Sequence, residues 1–426
     1  MTEHPVGLAR LSARALFYGQ RGDVQAAAQA HRQVIDLVET NRAAYRGTTP
    51  IDTFDRRHNR RFEEAIQFFL DTGQPEAALE LIDRSRFRGG CEALERQLGI
   101  QLAPASISAW QEQCVPGELV LAEWLQAPDE WSISFSRDLD PQLHCFAAAS
   151  DPQDTKHSGE GSLPWLPDFE LARQRLQRLL DAHAETLDDY RRLRIVPHGQ
   201  QWRAPWAALQ HPRTGRPLHE SHELVLSTSL RWDSIHQQST VGEHGRSLVI
   251  GDPGGDEPWA EIEARQVSEL LDTTPLMGAD ATCAAVRQAL ASHEYDVIHF
   301  AGHGSFDGTD QSALQLADGR LTAQDLHGLD IRANLVYLAS CWSAVTRFSV
   351  WNELHGFPRA VLEAGARSMV ACSFPLSARA GPLVASEFYR SYAPGSAARA
   401  LRTALASLPA EAPVHSWGSL FVVGDP

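Results

Sequence analysis

The 426-residue sequence lacks a long hydrophobic run: no stretch of about 18 apolar residues free of charge occurs, and a membrane-crossing helix needs roughly that many. It opens "MTEHPVGLARLSARAL", without the basic-then-apolar layout of a secretory leader. A soluble, cytoplasmic protein is expected. Paired cysteines are missing as well. Cys91, Cys114, Cys145, Cys283, Cys341 and Cys372 are scattered, with no CxxC pair and no zinc-ligand spacing. Free and mostly buried thiols are expected, with no metal and no other cofactor. Positive charge is also short: 38 Lys and Arg face 54 Asp and Glu, a formal charge of −16. That excludes a general affinity for nucleic acid or anionic lipid, which depends on surplus Lys and Arg. What the chain does have is an apolar content of 43% with 11 Trp, enough to fill the cores of two or three domains.

Residues 1–110 show helical periodicity and few β-branched runs. Within them "FYGQRGDVQAAAQA" and "FFLDTGQPEAALEL" align in register, setting Phe17, Gly22 and Ala27 against Phe68, Gly73 and Ala78 at a constant offset of 51. An aromatic, a turn glycine and a small residue on the next helix suit a close-packed helical hairpin. The pattern resembles tetratricopeptide hairpins, although its period exceeds the usual one of about 34. An irregular helical repeat domain offering a partner-binding face is expected.

Beyond it the texture changes. "ELVLAEWL" (118–125) and "EWSISFSR" (130–137) read as strands, "SDPQDTKHSGEGS" (150–162) as a polar loop, and about 168–190 as a helix. Then come "LRIVPHG", "HELVLSTSL", "SLVIGDP", "YDVIHFAGHG", "NLVYLASC", "SMVACSFPL" and "SLFVVGDP", with helical segments near 258–272, 282–292, 354–365 and 378–408. Short apolar strands alternating with amphipathic helices indicate an α/β domain with a mostly parallel sheet, whose chemistry collects at the carboxyl ends of the strands.

His303 lies just past the strand at 297–301, and the next strand, "LVYLAS", ends on Cys341. Neighbouring parallel strands would bring this His and this Cys to one sheet edge, as a Cys/His dyad requires. A nearby imidazolium lowers the pKa of a thiol, ordinarily about 8.5. Gly304 lets the backbone turn closely, so that its N–H and that of Cys341 are placed to face a developing oxyanion. His299 and His303 are four apart, but Phe-Ala-Gly lies between them with no Glu, so this is not a metalloprotease helix. "GDPGGDEP" (251–258) lacks GK[ST] and is not a phosphate loop. Cys372, within an apolar strand, is expected in the core and His198 in a turn.

"VIHFAGHG" followed by "LVYLASC" resembles the CHAT family of caspase-like cysteine peptidases, relatives of separase, metacaspases and caspases in peptidase clan CD. "IVPHGQQWRAPWAAL", "LVIGDP", "LEAGARSMVACSFPL" and "HSWGSLFVVGD" match further family segments in order, over about 115–426. The resemblance implies His303 as general base, Cys341 as nucleophile and Gly304 at the oxyanion site. It also implies an inactive caspase-like half at 115–245, a catalytic half at 246–426, and helical repeats before them. The activity implied is that of a regulated endopeptidase acting on specific protein substrates in bacterial defence or cell death, cued by an activating protein at the helical repeats. The alternative is an inactive CHAT scaffold for protein interactions.

The sequence departs from the family at two places. Ala339-Ser340-Cys341-Trp342 replaces the usual Ser-Ala-Cys before a polar residue, and bulky Trp342 is expected to narrow the approach. Phe374-Pro375-Leu376-Ser377-Ala378 lacks the acidic residue that helps relatives bind a basic P1 side chain. Arg379 suits an acidic or polar one instead. Asp252, Trp342, Phe374 and Arg379 are the candidates for the substrate pocket, with Asp252 also suited to capping the next helix. Glu263 is expected at the surface.

Overall fold

The computed structural model describes residues 5–43, 51–98, 106–126, 129–147, 166–236, 245–306, 312–326, 328–341, 343, 356–409 and 411–424. The expected loop at 150–162, Trp342, and most of the segment after Cys341 lie outside them.

Six helices come first: α1 Pro5–Gln20, α2 Val24–Ala43, α3 Ile51–Asp71, α4 Pro75–Ser85, α5 Arg88–Leu98 and α6 Ile107–Gln113. α1/α2 and α3/α4 are two hairpins with Gly22 and Gly73 in their turns, and Ala27 and Ala78 are fully buried. The aligned aromatics differ, because Phe17 is 49% exposed with Arg21 over its ring, so the first hairpin does not bury its aromatic.

The strands are β1 Glu118–Gln126, β2 Asp129–Ser136, β3 Gln142–Ala147, β4 Arg192–Val196, β5 Glu223–Leu226, β6 Ser247–Gly251, β7 Leu276–Met277, β8 Val297–Ala301, β9 Gly304–Phe306, β10 Ser312–Leu316, β11 Gly319–Thr322, β12 Leu335–Ala339, β13 Ser368–Cys372 and β14 Leu420–Val423. Among them run α7 Leu166–Ala182, α8 Leu230–His236, α9 Pro258–Leu270, α10 Cys283–Leu290, α11 Phe357–Glu363, α12 Gly381–Ser391 and α13 Ala397–Ala406. The helix expected over 168–190 thus stops at Ala182, and the one expected over 378–408 is two helices. β9–β11 form a small antiparallel sheet, and the other strands form one sheet in the order β3-β2-β1-β4-β5-β14-β13-β12-β8-β6-β7. β1, β4, β5 and β14 pair in parallel, as do β13, β12, β8, β6 and β7. The antiparallel β13/β14 pair joins the two blocks, and an antiparallel meander of β1, β2 and β3 closes one end.

Alternation along the strands sends their side chains to two layers. Leu119, Leu121, Ile250, Ile298, Phe300 and Leu338 meet α7, α10 and α11 on one face. On the other, Val249, Val297, Tyr337 and Val370 meet α9, α12 and α13, while Val120, Ala122, Ile133 and Phe135 are covered by the N-terminal helices. The helical region therefore shares a core with the sheet. Polar groups fasten the same contact. Arg86, 1% exposed, donates to the carbonyls of Val196 (2.9 Å) and Glu123, and the Asp83 carboxylate accepts from the Leu230 N–H at 2.6 Å.

Candidate active site

β6, β8 and β12 are parallel neighbours whose ends are level, since Gly251 pairs with Ala301 and Ala301 with Ala339. Each chain then leaves the sheet at the same edge. His303 stands two residues beyond Ala301 and Cys341 two beyond Ala339, so register alone sets imidazole and thiol at adjacent strand ends. The Gly302 N–H donates to the Ala339 carbonyl at 3.3 Å, which holds the two exits together. Gly304 is packed so tightly that a Cβ there would strike the Cys341 carbonyl and crowd the Ser340 hydroxyl. Only glycine fits without displacing backbone.

Cys341 is half-buried, and its thiol is pushed above the usual range chiefly by burial. A backbone hydrogen bond from Leu376 opposes this, and the carboxylate of Glu257 adds to it. His303 is half exposed, and its Nε2 lies 3.4 Å from Oδ1 of Asp256 in the loop after β6.

The pocket candidates fare differently. The Asp252 carboxylate turns inward, 7% exposed, and accepts from the backbone N–H groups of Asp256 (3.2 Å) and Glu257 (3.0 Å). It closes the turn ahead of α9. Phe374, expected in the pocket, instead packs in the interior, 4% exposed, with its ring 5.3 Å from that of Phe169. Its position just past β13 carries it under the sheet edge. The Arg379 guanidinium sits 5.6 Å from the ring centre of exposed Trp259 at the start of α9. Trp342 is outside the described residues.

Glu263, expected at the surface, is buried. The inward face of α9 is Ala260, Glu263, Ala264 and Val267, the i, i+3, i+4, i+7 stripe that faces a core. With no counter-charge, burial pushes this carboxyl up to about 8 and the imidazole of His299 down to about 3. Their 3.5 Å approach is therefore a contact between two uncharged groups, and His299 Nδ1 lies 3.2 Å from the Tyr389 hydroxyl. Cys372 is fully buried, with its thiol donating to the Ser340 carbonyl at 2.9 Å. His198 stands at a turn, where its Nδ1 accepts from the Leu125 N–H at 3.3 Å. Asp256 escaped sequence reading. The only signal for it was its place in the loop after a strand that pairs with the His303 strand.

A mostly parallel sheet flanked by helices on both faces is a caspase-like fold. The CHAT domain family matches residues 170–425, more than half of the chain, and the chain belongs to that family. Tetratricopeptide repeat protein 28 of Mus musculus is 27% identical over 47% of this chain, and its Homo sapiens counterpart 26% over 47%. The chain spans about a tenth of the length of these curated relatives. Among solved structures, the Saccharomyces cerevisiae separase in its complex with securin is similar across the helical region and the sheet alike. It has a TM-score of 0.56 at 9% identity, covering 95% of this chain and 38% of that one. The similarity shows a shared fold. A complex of the pro- and mature domains of Porphyromonas gingivalis RgpB is more distantly similar, with a TM-score of 0.42 at 12% identity over 61% of this chain and 71% of that one.

Proposed function

We propose that the chain is a cysteine endopeptidase in which His303 takes the thiol proton of Cys341 and the resulting thiolate attacks a substrate peptide carbonyl. The observation that supports this reading is the level ending of β8 and β12, each two residues before His303 and Cys341. Gly304, closed onto the Cys341 carbonyl, suits the oxyanion site, because a donor there must approach the nucleophile closely. Residues 115–245 act as the inactive half and 246–426 as the catalytic half. The half-buried thiol, pushed above its usual range, suits an enzyme held at rest until a protein partner engages the helical region. Its targets are one or a few proteins in a bacterial defence or cell-death pathway.

The test is labelling of the full chain with a panel of peptide acyloxymethyl ketones, read by mass spectrometry. Modification of Cys341 that is lost in His303→Ala supports the peptidase. Labelling that ignores His303, or settles on another cysteine, would leave the scaffold reading in its place.

A further inference from the structure

The strand order β12-β8-β6 puts His303 on the middle of three level strand ends, with Cys341 on one side and the loop after β6 on the other. That loop is built around one carboxylate. Asp252 adopts a left-handed conformation at φ 40°, which costs a non-glycine residue of order 1 kcal/mol or more. It is held there because its N–H donates to the Ala301 carbonyl at 2.9 Å, at the end of the His303 strand. Its buried carboxylate in turn accepts from the Asp256 and Glu257 N–H groups. Gly254 leaves open the space that the Asp256 carboxylate fills, since a Cβ there would collide with Asp256 Oδ1. The outcome is an oxygen 3.4 Å from His303 Nε2, although both side chains are more than half exposed. Two exposed side chains would not meet so without this scaffold.

Resting on the peptidase reading, we propose that Asp256 is a positioning residue that fixes the tautomer and orientation of His303. By accepting from Nε2–H, it leaves Nδ1 as the unprotonated nitrogen. The proton leaves Cys341 Sγ for Nδ1, giving thiolate and an imidazolium that keeps its Nε2–H toward Asp256. When the substrate C–N bond breaks, Nδ1–H passes to the departing amine and the acyl group stays on sulfur. A gap of 3.4 Å is long for a hydrogen bond, and contacts of this kind commonly tighten only when substrate is bound.

The test uses the full chain labelled with 15N-histidine, with the His303 resonances assigned through His303→Gln. In the native protein the nitrogen shifts should report predominantly the Nε2–H form. Asp256→Ala should move them toward a mixture, and Asp256→Glu should restore them at least in part. In parallel, the rate of iodoacetamide modification of Cys341, referred to exposed Cys145 in the same molecule, should fall roughly 10- to 100-fold in Asp256→Ala and recover in Asp256→Glu. Thermal melting should stay unchanged, because the Asp256 side chain is 68% exposed. An unaltered His303 tautomer in Asp256→Ala overturns the proposal. If Cys341 is modified equally fast in the native, Asp256→Ala and His303→Gln chains, the peptidase reading falls, while the tautomer measurement still decides the role of Asp256.

Discussion

Two cysteines that look alike in sequence sit in opposite environments. Cys341 begins a loop, whereas Cys372 is fully buried, with its sulfur and its N–H both hydrogen-bonded. Urea unfolding should find Cys372→Ala destabilised by roughly 1 kcal/mol and Cys341→Ala changed by less than about 0.5 kcal/mol, while only the second loses probe labelling outright. Glu263 bears on pH. Its folded-state value of about 8 stands above the ordinary 4.5, so between those limits the native protein holds a proton that the unfolded chain has released. This contribution falls as pH rises, with a limiting slope of about 1.4 kcal/mol per pH unit; below 6.5 the depressed His299 works in the opposite sense, so the fall should show between about pH 6.5 and 8. Glu263→Gln keeps the shape and removes the titration. Its unfolding midpoint should be flatter than that of the native chain between about pH 6.5 and 8, where His299 no longer titrates in either state, by a margin that urea titrations at several pH values will read.

Helices and strands with strong apolar patterns were legible: β1, β6, β8, β12 and β13 are short apolar runs, and the position of His303 and Cys341 just past the ends of β8 and β12 was legible with them. β3 was missed because a strand such as "QLHCFA", at a sheet margin, carries little alternation. β9–β11 were missed because "GSF" and "GRLT" are too short and polar to stand out. α9 was found, yet its Glu263 was misplaced by treating an acidic residue as solvent-facing instead of counting spacing from Ala260 to Val267. Phe374 was assigned by analogy of position, and only packing shows that it points inward. At the start of β9, Gly304→Ala should push the Cys341 carbonyl aside. Labelling of Cys341 should drop by at least about tenfold, with a circular dichroism spectrum like that of the native chain.

Across the whole molecule, the sequence separates a helical part from an α/β part, but the cores do not divide there. Val120, Ala122, Trp124, Ile133 and Phe135 of the sheet are sealed by the N-terminal helices, and Arg86 and Asp83 satisfy backbone groups of Val196 and Leu230. Removing residues 1–98 would uncover that apolar face, and exposed patches of this kind promote aggregation. The truncated chain should be recovered mainly in the insoluble fraction, against a soluble full-length protein. Separating partner recognition from folding therefore calls for point substitutions on exposed helix surfaces, such as Phe17.

β14, residues 420–423, lies between β5 and β13, in the middle of the sheet. A nascent chain emerging from the ribosome can assemble the strands of 118–226 and those of 247–372, yet among the described residues no strand joins the two blocks of sheet until β14 arrives. Contacts so distant in sequence form late. Until then the block that carries His303 and Cys341 has its β13 edge without a strand neighbour. Ribosome-stalled chains ending near residue 410 should accordingly resist the ketone probes that label the released protein.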